Sequence, residues 1–479
     1  MTVSNPHHDR RWLILATVCV AQLMIVLDVT IVTVALPSAQ AELGFSDDLR
    51  QWIVTAYALA FGSLLLLGGR LADRFGRKQA LVVGFLGLAV ASAAGGAAQS
   101  FGMLVCARAV QGAFAALLAP AALSVLVTTF EDPGERGKAL GAFGAVAGGG
   151  AAVGLVLGGV LTDALSWRWV LYVNIPFALP AALAALRLLT AQAQTLRSSL
   201  DLAGAVTSIG GLFALIYGFS SAERSSWGDP VTIVALAAAG LLLVAFVWIE
   251  SRAPSPLLPL QLVADRTRGG SLLAIAVTFG PVVAVLFFLS FYLQRVLDFS
   301  PIETGLAFLP QSLTVVATTI LVNAKLVPRV GVRPLLVAGL ALIAAGTLWL
   351  TQLEPSSSYT AAILPALFAN GLGMGSIVGS SLVGATAGVK PADSGVASAA
   401  IDVATQVGAA VAVAALSTIA GTAAAASAEA SLDGFTDAFL VATGALGLGA
   451  VAVGALMPTD TPAPRADRPG PETAGSIDS

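Results

Sequence analysis

Histidine and cysteine are nearly absent from this 479-residue chain, with 2 of each, and charged residues make up only 11% of it. An ordinary soluble domain carries roughly 25% charged residues. His7 and His8 both stand in the N-terminal tail, so histidine-based catalysis and a histidine-ligated metal site are not expected. Cys19 and Cys106 each lie inside an apolar run, which excludes a disulfide framework. A net charge of −3 on so few charges excludes an electrostatic nucleic-acid binder. No GxxxxGK[ST] phosphate loop, HExxH, paired CxxC or GxSxG elbow occurs, so no ATP site, no cofactor and no enzymatic activity are expected.

What the chain has is apolar length. Hydrophobic residues make up 57% of it, and apolar runs fall at about 12–36, 49–69, 80–98, 101–127, 138–161, 168–189, 201–221, 231–249, 270–293, 302–324, 334–353, 360–386, 395–420 and 435–457. Each can cross a hydrocarbon core of about 30 Å as a helix. Without water, the backbone must satisfy itself as helices or a closed barrel, and these long runs lack the alternation of barrel strands. The fold class is therefore an all-α integral membrane protein with 14 transmembrane helices. If the N-terminus is placed inside, almost all of the 24 lysines and arginines fall on the inner side. Only Arg50, Arg168, Arg224 and Arg295 fall outside, and Arg108 lies within a span. That bias predicts cytoplasmic N- and C-termini and an even number of spans. Arg10, Arg11 and Ala39-Gln40-Ala41 loosely resemble a cleavable signal, but the length of the run and Asp28 within it favour a retained span.

The stretch from Leu71, LADRFGRKQALVVG, lines up with that from Leu326, LVPRVGVRPLLVAG, matching Arg74 with Arg329, Gly76 with Gly331, Lys78 with Arg333 and Gly84 with Gly339. Both begin at an inner loop after an even-numbered span, which predicts two six-helix halves related by an axis along the membrane normal. The expected layout is a cytoplasmic tail at 1–11, an N-terminal half at 12–190, two inserted helices at 201–250, a cytoplasmic linker at 251–269, a C-terminal half at 270–457 and a disordered cytoplasmic tail at 458–479.

Four motifs carry chemistry. The loop from Gly69 to Lys78 holds four cations and Asp73. It is either a positive-inside anchor or a latch, with Gly69 allowing close helix approach and Gly76 a turn at positive φ. Asp73 would then meet a helix N-terminus or an arginine. Asp28 has Met24, Ile25, Ile31 and Val32 as its helical neighbours, none able to satisfy a carboxylate, so its partner must come from another helix. Arg108 matches it in depth, both about 10–12 Å below the outer surface at 1.5 Å per residue. The pair is a static ion pair or a proton carrier. Asp402 is a second intramembrane acid, to be read as a cation contact, a protonation site or a solvated residue near a helix start. Gln111 and Gly112 lie one turn below Arg108, and Gly141, Gly150, Gly154, Gly158 and Gly159 line span five for close packing or bending.

These residues resemble the major facilitator superfamily, in particular its fourteen-span drug–proton antiporters. Gly69–Lys78, with Asp73, Arg74, Gly76 and Arg77, matches the superfamily signature between spans two and three. LDVTIVTVALP at 27–37 matches the first-span motif with Asp28 as its acid, although Thr33 stands where an asparagine is usual. Arg108, Gln111 and Gly112 match the fourth-span motif, whose arginine is linked with proton transfer. The span-five glycines match the antiporter motif, with Leu155 in place of a proline, and SWRWVLYVNIP at 166–176 is also typical. Asp402 stands where relatives often carry asparagine. The resemblance implies a 6+2+6 arrangement of two pseudo-symmetric bundles and alternating access around a central cavity in the plasma membrane. It implies proton-driven efflux of an amphiphilic toxic compound or a self-made antibiotic, with no metal. Proton coupling falls to Asp28, Arg108 and Asp402, the substrate cavity to Asp28, Gln111 and Asp402. The partners expected are the substrate, protons and the lipid bilayer, with the chain working as a monomer. An importer of a small nutrient on the same fold, or a membrane receptor or enzyme, are the alternatives.

Overall fold

The computed structural model describes residues 6–190, 201–254, 256–299, 301–390, 393–421 and 428–459. Within them the chain is built from long helices: α1 (Pro6–Leu43), α2 (Asp47–Phe75), α3 (Arg77–Gly96), α4 (Phe101–Thr129), α5 (Pro133–Ala164) and α6 (Asn174–Leu188). There follow α7 (Leu202–Arg224) and α8 (Pro230–Glu250), then α9 (Arg266–Arg295), α10 (Leu309–Leu321), α11 (Val332–Leu350), α12 (Leu364–Thr386), α13 (Ser394–Gly421) and α14 (Ala428–Leu456). Thirteen helical stretches among the described residues are long and apolar enough to cross a membrane, and α5 is a further continuous helix of 32 residues. The expected tail at 458–479 lies almost wholly outside the described residues, and the side chains of Ala151, Ala152 and Leu155 in span five do too.

Helix starts follow local chemistry. Ser100, Asp132, Asp201, Asp229 and Asp265 each accept a hydrogen bond from a backbone N–H of the first turn they precede. α1 runs on through Ala39-Gln40-Ala41, so the residues that resemble a cleavage site are helix interior. The ends named for span ten also lie within a longer unit: a π-helical turn at Val322–Leu326 and a short helix at Val327–Val330 extend α10.

α1 packs on α4, α5 and α6, and α2 on α4, while α9 packs on α12, α13 and α14 and α11 on α12 and α14. α2, α4 and α5 then meet α13, α10 and α12. The repeat holds in detail: Gly76 and Gly331 both turn the chain at positive φ, +98° and +81°, between a helix and its successor. α7 and α8 pair with each other, Thr232 donating to Ser221 at 2.9 Å, and α7 lies against α2 and α13.

The stretch expected as a linker, 251–269, is more ordered than a connecting loop. It contains a short helix, Leu260–Ala264, and the first turn of α9. The buried Glu250 carboxylate accepts from the backbone N–H groups of Leu257 and Leu258 at 3.1 and 3.0 Å, and so ties this stretch to the end of α8. Hydropathy misses this because the bonds run to backbone amides.

Candidate functional site

The chain's sharpest chemistry gathers where α1, α3, α4 and α6 converge. Asp28 is fully buried. Its Oδ2 accepts from Arg108 Nη1 at 3.0 Å, and its Oδ1 accepts from Gln111 Nε2 and Asn174 Nδ2, also at 3.0 Å. Arg108 Nη1 donates further to Gln111 Oε1 at 3.1 Å and Nε to the Ile53 carbonyl at 3.2 Å. Ser92 Oγ accepts from Gln111 at 2.8 Å and from Asn174 at 3.1 Å. The depth match between Asp28 and Arg108 is thus a direct contact. A buried ion pair holds only when the remaining lone pairs are also satisfied, and the two amides supply that.

Every group on the carboxylate is an N–H donor. A proton arriving on Asp28 would find no acceptor unless an amide turned. Asn174 can turn usefully: its Oδ1 is buried and accepts no hydrogen bond. Asn174→Leu removes one donor from the carboxylate and one from Ser92 while keeping the number and branching of the side-chain heavy atoms. A hydrogen bond to a charged group contributes about 1.5–3 kcal/mol, so thermal unfolding of the purified variant should show a loss of that order.

Asn174, Ser92 and Tyr57 are absent from the sequence-derived candidates. For Asn174 the signal was present, an amide inside an apolar run being subject to the same reasoning as Asp28. Tyr57 places its ring 4.5 Å from the Arg108 guanidinium carbon, a cation–π contact, and its hydroxyl is buried without a hydrogen-bond partner. Asp402 lies on α13, half-buried and about 12 Å from the helix start. Asp28 and Gln111 were expected to line a cavity, but both are sealed inside the first six helices, and of the three named residues only Asp402 keeps exposure. They are sealed because the donors that stabilise the charge also close around it.

At the opposite end of α2, Asp73 crosses to the second half. Its carboxylate accepts from the N–H groups of Gly395 at 3.1 Å and Val396 at 3.3 Å, at the N-terminus of α13, and lies 3.9 Å from Arg77. Arg77 donates to Ser394 Oγ at 2.8 Å and to Thr128 Oγ1 at 3.2 Å, and Arg70 is 3.8 Å from Asp393. Gly69 permits this approach, since a Cβ there would sit 2.7 Å from the Gly395 carbonyl oxygen. Both expectations for Asp73, a helix N-terminus and an arginine, describe the same contact. Arg74 instead lies over the Phe75 ring, and Lys78 makes no ion pair with any described residue. In the second half Pro328 and Val332 replace Asp73 and Arg77, so the device exists once.

The glycines of α5 divide between two partners. Gly150, Gly154 and Gly158 face α1, where added Cβ atoms would press on Val26, Thr30 and Ile31. Gly141, Gly144 and Gly148 face the second half, against Ile320, Thr319 and Val315. A Cβ at Gly159 would meet nothing within 4 Å. α5 is thus a smooth surface between the bundles.

A bundle of long apolar helices with a charge network sealed inside one half, and an ion contact bridging the halves, is the architecture of a membrane transporter. The family model for the Major Facilitator Superfamily matches residues 18–413, with a second match over 272–479. The chain belongs to that superfamily and is a multi-pass membrane protein. It is 50% identical over 401 residues to the puromycin resistance protein of Streptomyces alboniger, covering 83% of this chain and 79% of that one. It is 40% identical to the cephamycin export protein of Amycolatopsis lactamdurans, covering 82% and 81%, and 34% identical to the lincomycin resistance protein of Streptomyces lincolnensis, covering 74% of each. Among solved structures, the human organic anion transporter MFSD10 (TETRAN) shares the fold, with a TM-score of 0.65 at 15% identity over 94% of this chain and 100% of that one.

Proposed function

We propose that this chain exports an amphiphilic toxic compound, or an antibiotic made by its own cell, in exchange for protons. The observation that carries this is the Asp28–Arg108–Gln111–Asn174 network, a charged group held in the membrane interior beside an amide oxygen that can accept a hydrogen bond from its protonated form. Intramembrane acids are costly and mark ion or proton paths. The names of the relatives support efflux rather than uptake.

In this reading α5 is the fourteenth span, and the layout is six helices, two inserted helices and six more. The protein stands as a monomer in the plasma membrane with both termini cytoplasmic. The basic end is then the cytoplasmic one, and Asp73 on α13 holds it closed. The two halves rock about the glycine surface of α5, and release of Asp73 opens the cytoplasmic side. Asp402, reached from between the halves, contacts the substrate or a proton. Loss of charge on Asp28 loosens Arg108 from its pocket and from the Tyr57 ring it lies over. The chain needs no metal, cofactor or ATP in this scheme.

The test uses inside-out vesicles with an acid interior and radiolabelled puromycin, cephamycin or lincomycin. Wild type should accumulate at least one of them, and the signal should disappear when the pH gradient is collapsed. Asp402→Asn should lower the initial rate about tenfold, the equivalent of ~1.4 kcal/mol. Accumulation that persists without the gradient would remove proton coupling, and no gradient-dependent uptake of any of the three would overturn the reading.

A further inference from the structure

A cavity of about 260 Å³ opens at the basic end, among the ends of α1, α3, α4 and α6. Arg77, Lys78, Thr128 and Thr129 supply its polar wall, and Ile14 and Leu188 part of its apolar wall. No acidic residue is among those lining it. Two adjacent cations and a threonine hydroxyl, with no carboxylate in the lining, form an anion site; Asp73 lies 3.9 Å from Arg77 but is not among the residues that line the cavity. Its size lies below the range of sites for whole drug-sized molecules, about 300–1,000 Å³, and suits a headgroup. Beside it the side chains of Leu13 and Leu186 are about half exposed on the outer surface of α1 and α6, where an acyl chain would lie.

We propose that this cavity binds the phosphate of an acidic phospholipid, with Lys78 and Arg77 on the phosphate oxygens, Thr129 donating to them, and the acyl chains running along α1 and α6. Basic pockets between membrane helices are the places where acidic headgroups settle. The position of Lys78 next to Arg77 then has a purpose apart from the contact between halves, in which Lys78 takes no part. This inference does not depend on what the protein transports.

Arg77 also holds Ser394, so the test uses the other residues. The full chain, purified in neutral detergent, is titrated with dioleoylphosphatidylglycerol and with dioleoylphosphatidylcholine, and bound lipid is counted by native mass spectrometry. Inorganic phosphate is titrated separately by thermal shift. Wild type should hold one phosphatidylglycerol more tightly than phosphatidylcholine. Lys78→Gln should weaken it about fivefold, as expected for one lysine at a lipid headgroup. Thr129→Val should weaken it by a smaller factor, and Lys138→Gln, which removes an exposed lysine of α5, should not. Thr129→Val decides the matter if Lys78→Gln fails to fold. Inorganic phosphate that stabilises wild type but not Lys78→Gln, with no preference for phosphatidylglycerol, would keep the phosphate site and overturn the lipid as its source. Equal retention of the two lipids without a phosphate response, or phosphatidylglycerol binding unchanged in both variants, would overturn the site itself.

Discussion

Asp28→Asn should abolish gradient-driven uptake and destabilise the protein, while adding Arg108→Gln should restore stability without restoring transport. The physical reason is the burial of the pair and the donors gathered on its carboxylate. The carboxylate takes three N–H donors, and Arg108 is fully buried with Asp28 as its only acidic partner among the described residues. Removing one member of a buried pair leaves an uncompensated charge, at a cost of about 3–5 kcal/mol. Replacing both members removes that charge and returns much of the loss. Coupling between the two substitutions, read by thermal unfolding in a double-mutant cycle, should therefore reach a few kcal/mol. Transport should stay absent in both variants, because neither can carry a proton at this position. Uptake by Asp28→Asn at the wild-type rate would make the pair purely structural.

The second large effect is at the contact between halves. In Asp73→Asn the side chain still fits, but the charge that faces the N-terminus of α13 and Arg77 is lost. A carboxylate at a helix N-terminus contributes about 0.3–1 kcal/mol when exposed and up to ~2 kcal/mol when partly buried, and here the side chain is only 5% exposed. The closed population should fall by about tenfold or more relative to the open one, since each 1.4 kcal/mol is a factor of ten. Hydrogen exchange measures this directly. The amides of Gly395 and Val396 should exchange about tenfold faster in the variant, with α1 and α4 unchanged. Equal exchange in the two proteins would mean that the contact is an anchor and not a latch.

The sequence was informative wherever a property belongs to one segment. Apolar runs placed the helices, because burial in lipid acts on each stretch by itself. Asp28 demanded a partner from another helix, because its own turn offers only apolar side chains, and counting residues from the outer surface found Arg108. Gly76 announced a turn at positive φ, and its repeat at Gly331 announced the second half. The family resemblance placed the chain among export proteins, and the curated relatives agree.

The tertiary structure decided what depends on how helices are rotated and which backbone groups they present. Asn174 and Ser92 join the network because α6 and α3 turn those faces toward α1, a rotation that mean hydropathy does not encode. Asp73 binds the amides of Gly395 and Val396, and a backbone N–H has no residue type to recognise in a sequence. The glycine row of α5 reads as one stripe, yet its members serve two partners, because a helix of small residues presents several faces at once. Asp28 and Gln111 looked like cavity residues, yet they are sealed within one bundle, because the donors that make a charge tolerable in lipid must surround it. Sequence thus determined which residues need partners. Only the packing of the helices determined who those partners are.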